Sequence, residues 1–170
     1  RSPTGKIPGF LTAQAQAGIT AALPLPGRDE NVAVVKLANL LSYYTGQDRY
    51  KTMAQQAMQT VASPQLYDQK FVATTLLADF ELTRPPLHMT IVGSKSNETA
   101  KALYAKALQF PATYQRVEWL DAAEGPLPNP DVVYPQLDKP AAFVCTDRRC
   151  SIPIFDPTKL LDLVDRLSRQ

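Results

Sequence analysis

The stretch His88-Met89-Thr90-Ile91-Val92-Gly93-Ser94-Lys95-Ser96-Asn97-Glu98 decides the fold, because the hydrophobic pattern changes period here. His88 to Gly93 is a short, mostly apolar run closed by glycine, the mark of a buried strand. Glu98 to Phe110 follow with Ala and Leu at helical spacing, so the chain reads strand, turn, amphipathic helix. Gln115 to Leu120 then predict a second strand, parallel to the first because a helical crossover joins the two.

Toward the C-terminus, residues 121–139 contain Pro126, Pro128, Pro130 and Pro135 and predict a long irregular connection. Loops of that length are ordinarily functional or lean on another surface. Ala141 to Cys145 and Ser151 to Phe155 predict a hairpin around a charged four-residue turn. Asp156-Pro157 is a strong helix start, with Leu160, Leu161, Val164 and Leu167 on one face of the closing helix.

Toward the N-terminus, Val32, Val35, Leu37, Leu40 and Leu41 predict a first helix from Asp29, stopped by Gly46. Tyr50, Met53, Ala54, Ala57, Met58 and Val61 predict a second over residues 48–62. Ser63-Pro64 opens a third, carrying Leu66, Phe71, Leu76, Leu77, Phe80 and Leu82, and Pro85-Pro86 ends it. Short connections make the three antiparallel neighbours. Residues 1–28 are broken by Pro3, Gly5, Pro8, Gly9, Gly18, Pro24, Pro26 and Gly27, and predict a strap or linker that depends on a neighbouring surface for order.

The expected architecture is therefore α/β, or α+β overall. Its parts are the strap at 1–28, a helical segment at 29–84 and a small β-α-β-β-β-α unit with a mixed sheet at 87–170. The element order is that of a minimal thioredoxin-like fold, with a Rossmann-like unit as the alternative. In the thioredoxin-like reading Pro140 stands where the third strand is entered through a cis proline.

Composition excludes several function classes. The 170 residues are 45% hydrophobic and 20% charged, a globular balance able to build a core. Net charge is +2 and the Lys and Arg residues are scattered, which gives no stripe for nucleic-acid backbones. No run approaches the roughly 20 apolar residues that cross a bilayer. The chain starts at Arg1 without Met or a signal-like apolar region, so a processed product or an excised piece is expected. Two cysteines and one histidine are too few for an ordinary structural zinc site, and no metal or cofactor is expected.

Chemistry has few places to live. Cys145 and Cys150, across the hairpin turn, would be opposed at about 4.5 to 5.5 Å between Cα atoms, inside the range of a disulfide. Reduced structural thiols, a hairpin disulfide of small entropic effect, and a redox or metal role all stay open. Asp147, Arg148 and Arg149 read as a solvated turn, or as cations that depress a thiol pKa. Ser94, Lys95 and Ser96 at the helix N-terminus form an anion-binding candidate, against ordinary capping by Ser94 or Ser96. The segment lacks the second glycine of a phosphate-binding loop, which excludes nucleotide hydrolysis. Asn97-Glu98-Thr99 formally matches a glycosylation acceptor. His88 reads as a core or strand-end histidine, since a catalytic dyad would have to borrow Cys145 from another strand. Asp79 and Glu81 lie two apart on a helix and do not face one another.

The three helices, the His88-Met89-Thr90-Ile91-Val92-Gly93 strand and the Val144-Cys145-x4-Cys150-x2-Pro153-x2-Asp156-Pro157 tail together resemble the C-terminal end of the YyaL-like thioredoxin-domain proteins, relatives of the spermatogenesis-associated thioredoxin-like protein. The resemblance spans about residues 30–168. It implies a larger parent with an N-terminal thioredoxin-like domain and a helical barrel, both mostly upstream. Residues 30–83 would be the last helices of that barrel and residues 87–168 the appended α/β unit. No catalytic residue carries over, because the Cys-x-x-Cys of a working thioredoxin, which sits at the N-terminus of its first helix, is replaced here by Gly93-Ser94-Lys95-Ser96.

The function expected from these readings is a non-catalytic C-terminal structural or interaction module whose partners are the parent's upstream domains. A homo-oligomer is an open expectation, and the compartment, cytoplasmic or periplasmic, is undetermined. One alternative is a thiol-disulfide oxidoreductase using Cys145 and Cys150. Another is a tetratricopeptide-like peptide binder at 29–83, weakened because one helix pair is visible and repeat stacks need about three.

Overall fold

The structure, a computed structural model, describes residues 9–11, 26–64, 73–146 and 149–168. Most of the expected strap, the start of the third helix with Leu66 and Phe71, and Asp147 and Arg148 of the turn lie outside the described residues. The chain divides into two compact units, residues 1–42 with 47–84, and residues 43–46 with 85–170.

The first unit holds α1 (Arg28–Thr45) up to Ser42, its last turn from Tyr43 belonging to the second unit, together with α2 (Asp48–Val61) and α3 (Ala73–Thr83). Asp29 and Glu30 lie in the first turn of α1, where negative charge complements the helix dipole. Val32 and Val35 of α1, Ala57 and Val61 of α2 and Ala78 of α3 form one buried cluster, with Phe10 and Leu82 packed against it. Small residues on α2 and α3 permit this close approach.

Asn31, fully buried, does the work of a backbone segment. Its Oδ1 accepts from the Phe10 amide at 2.8 Å, and its Nδ2 donates to the carbonyls of Phe10 at 3.0 Å and Gly27 at 2.7 Å. Asn31→Ala is expected to cost the unit about 2 kcal/mol, the range for leaving buried polar partners unmade. A chemical-denaturation series measures the loss, and faster proteolytic cleavage near residues 9–11 should accompany it.

The apolar stripe expected on the third helix is corrected. Leu76, Leu77 and Phe80 are about half exposed, whereas Thr75, Ala78 and Glu81 are the buried positions. Glu81 turns inward because Lys36 Nζ lies 3.1 Å from its carboxylate and Asn39 Nδ2 donates to its carbonyl at 2.7 Å. With polar groups claiming the inner face, the large apolar side chains rotate outward. Leu37 of α1 is likewise exposed rather than packed.

The second unit is built on β1 (Leu87–Val92), α4 (Glu98–Leu108), β2 (Gln115–Leu120), β3 (Ala141–Thr146), β4 (Arg149–Cys150) and α5 (Pro157–Ser168). The sheet order is β2-β1-β3-β4, with β1 and β2 parallel and the remaining neighbours antiparallel. Met89, Ile91, Ala142 and Val144 point to one face and meet Ala100, Leu103 and Ala107 of α4 and Leu160 and Val164 of α5. Alternation along the strands sends the other residues to the opposite face.

Two expectations about the hairpin change. Thr146 pairs with Arg149, so only residues 147–148 separate the strands and the turn is two residues shorter than expected. Beyond Cys150 the Ser151 amide still donates to the Val144 carbonyl at 2.8 Å, and the next paired residues, Ala142 and Ile154, exchange 2.8 and 2.9 Å hydrogen bonds. Four residues, 151 to 154, thus oppose the three residues 142 to 144, a bulge placed where Pro153 has no amide to give. Pro140 is not cis, for no described peptide bond is.

Both edges of the sheet are blunted. At β2 the Tyr44 hydroxyl accepts from the Val117 amide at 2.9 Å and donates to the Val117 carbonyl at 3.4 Å. At the other side β4 is two residues long and then bulges away, as edge strands commonly do.

Candidate functional site

The face of the sheet turned away from α4 and α5 carries the chemistry. Strand register brings Arg116, His88, Cys145 and Cys150 into one transverse row across β2, β1, β3 and β4. Glu118, Thr90 and Phe143 form the next row. Arg116 and Glu118 flank Val117, so period-two alternation places both polar side chains on this face and the valine on the other.

These groups form a connected, largely dry network. Glu118 Oε2 accepts from Arg116 at 2.7 Å and lies 2.9 Å from His88 Nε2. A carboxylate already paired with a guanidinium accepts only, so Nε2 carries the proton and donates. The same nitrogen lies 2.9 Å from Thr90 Oγ1, which accepts from the Tyr134 hydroxyl at 2.7 Å. Arg116 also donates to Asp131 at 2.7 Å and to the Asn129 carbonyl at 2.9 Å. The connection after β2 therefore lids this face with Asn129, Asp131 and Tyr134. Burial raises the Tyr134 pKa above its ordinary value, and the Thr90 hydrogen bond offsets part of the rise.

Cys145 and Cys150 are joined as a disulfide with Cα atoms 4.0 Å apart. Of the readings left open for them, the bridged one is the state present. Cys145 is 9% exposed while Cys150, on the edge strand, is open to solvent. The disulfide helps to wall a cavity of about 420 Å³ whose other lining groups include His88, Arg116, Asp131 and Arg149. His88 is a buried strand histidine as expected, but it has partners, and it does lie opposite Cys145.

The anion-binding candidate at the start of α4 is occupied from within. The Lys95 amide donates to Asp121 Oδ2 at 2.7 Å, and Lys95 Nζ is held by Glu124 at 2.6 Å. Ser94 and Ser96 bond one another at 2.9 Å. Asn97, not either serine, caps α4 by accepting from the Thr99 and Ala100 amides at 2.9 and 3.3 Å. Ser94 faces a depression of about 850 Å³ that Asp121 and Asp138 also line, and carboxylate walls make a poor anion receptor. Gly93, with φ near 147°, leaves β1 in a conformation open to glycine, and a Cβ there would sit 2.8 Å from Pro140 Cβ.

Asp121 is held below the ordinary aspartate pKa, first by the Lys95 amide and next by the Ala123 amide. A depressed folded-state pKa stabilises above the unfolded value, and that contribution disappears as pH falls through the folded one. Asp121→Asn is therefore expected to be less stable than the native chain at pH 7, with the difference shrinking once pH falls below about 4 and toward the lowered folded pKa. Denaturation midpoints at pH 7 and pH 2.5 measure it.

Among the described residues no cluster of three or more His, Cys, Asp or Glu side chains could hold a metal ion. None of the described helices is long and apolar enough to cross a membrane. Comparison with protein-family models, curated proteins and solved structures gives no match to the chain.

Proposed function

We propose that the chain is the non-catalytic C-terminal structural or interaction module of a larger, YyaL-like thioredoxin-domain protein. In this reading the second unit is thioredoxin-like, and α1 to α3 are antiparallel helices from the end of an α/α barrel. The observation that carries it is the sheet order β2-β1-β3-β4, one parallel pair followed by two antiparallel pairs, with α4 and α5 on one face. The N-terminus of α4, where a working thioredoxin keeps its thiols, supports the non-catalytic part. Its Thr99 and Ala100 amides are taken by the Asn97 side chain, and its residues carry no sulfur.

Leu76, Leu77 and Phe80, exposed together on α3, support a role in contact with other protein. The occupant of that face would be the upstream barrel. The full open reading frame tests the reading: a Cys-x-x-Cys domain and a helical region encoded ahead of residue 1 support it, and a frame lacking both overturns it.

A second reading, thiol-disulfide exchange at Cys145 and Cys150, has its own support in the disulfide's place on a cavity beside His88 and two arginines. Titration against dithiothreitol, with alkylation of released thiols, tests it. A pair that stays oxidised in the folded chain would sink it.

A further inference from the structure

We infer that the Cys145–Cys150 disulfide is an exchange site for low-molecular-weight thiols that carry a carboxylate, with Cys150 as the attacked sulfur and Cys145 as the leaving group. This inference rests on the second reading above and gives it a direction and a substrate class.

Direction follows from the transverse row. A thiolate attacks a disulfide sulfur from the side away from the bond that breaks. Behind Cys145 the row continues into His88 on β1, and Cys145 is nearly covered. Cys150 stands on the outermost strand with solvent beyond it. Sterics alone therefore select Cys150. The Cys145 thiolate is released opposite His88, whose Nε2 is committed to Glu118 and Thr90.

Size and charge set the class. A cavity of about 420 Å³ suits a small molecule of up to tripeptide size rather than a folded protein's thiol. Its lining carries two guanidiniums, of which Arg116 is already paired with Glu118 and Asp131 at 2.7 Å, so Arg149 is the one whose charge is open to a ligand. Arg116 is 1% exposed, and its Nε–H has no acceptor among the described residues. Arg149 makes no ion pair with a described residue and adjoins Cys150 in sequence. A carboxylate on the incoming thiol can pair with Arg149 beside Cys150 and accept from the Arg116 Nε–H, whereas an ammonium finds no partner in either.

The exchange balances simply. The small thiol gives its proton to solvent, and its sulfur electron pair forms a new bond to Cys150 Sγ. The electrons of the broken Cys145–Cys150 bond leave on Cys145, which takes up a proton. A second thiol attacking the small-molecule sulfur of the mixed disulfide frees Cys150. The protein gains two electrons and two protons, and two thiols become one small disulfide.

The test uses the native chain with 3-mercaptopropionate and cysteamine at low salt, quenched in acid, alkylated and mapped by mass spectrometry. The expected product is a mixed disulfide on Cys150 with Cys145 alkylated. Per thiolate, 3-mercaptopropionate should react on the order of tenfold faster than cysteamine, the ratio falling to about twofold or less in 1 M salt, where the screening length is about 3 Å. Arg149→Gln, at an exposed position, should lower the ratio without changing the melting temperature. An adduct on Cys145, or equal rates at low salt, overturns the inference while leaving the second reading standing. Resistance to both thiols and to dithiothreitol overturns the two together.

Discussion

Arg116→Met is expected to destabilise the second unit by about 3–5 kcal/mol, the range for removing one partner of a buried ion pair. Arg116 is 1% exposed and holds Glu118, itself buried, together with Asp131 and the Asn129 carbonyl. Methionine fills much of the volume but leaves the Glu118 carboxylate with His88 alone and the Asn129 carbonyl without its guanidinium. For a unit of this size the loss lowers the melting temperature by about 12 °C or more. Neutralising the stranded acid should return part of it, so Arg116→Met with Glu118→Gln should be less damaged than the sum of the single changes. Loss of under about 1 kcal/mol in Arg116→Met, the scale of exposed pairs, would show that water reaches the network.

Leu103→Ala is expected to cost about 2–5 kcal/mol, transfer and cavity terms combined. Leu103 is fully buried between the sheet and α5, in the cluster with Met89, Ile91, Leu160 and Val164. Leu108, five residues on in the same helix, is 54% exposed. Leu108→Ala shares the helix, the residue type and the change in propensity, and should stay within about 0.5 kcal/mol. Equal losses in the two variants, measured by urea unfolding, would refute the assignment of the buried face of α4.

Much of the second unit is legible in the sequence because its signals are local. The switch to period two at His88, the helical spacing after Glu98 and the Asp156-Pro157 start each reside within a few residues. Asp156 duly caps α5, accepting from the Thr158 amide at 2.9 Å. The misreadings arise where distant partners decide. Nothing near Leu76 or Phe80 announces that Lys36 and Asn39 draw Glu81 inward and turn those side chains out. The extra residue opposite β3 depends on the lost amide of Pro153, which fixes that a bulge forms but not its register.

The site follows the same division. The opposition of Cys145 and Cys150 is readable from their separation. The approach of His88 to them is not, because it depends on which strand lies beside β3. One signal was within reach: Arg116 and Glu118 alternate with Val117 and Trp119, so β2 has a charged face. Two charges buried on one strand require a partner surface, and His88 and Thr90 share the matching parity on β1.

The hydroxyl of Tyr44 against Val117 has a consequence for assembly. One phenol group occupies both the donor and the acceptor of Val117, at the middle of the edge that β2 would otherwise offer to a fifth strand, and β4 is too short to serve as a template. If copies of this chain associate, they must do so through side chains or helices, and a continuous sheet shared between molecules is closed to them without first displacing that tyrosine.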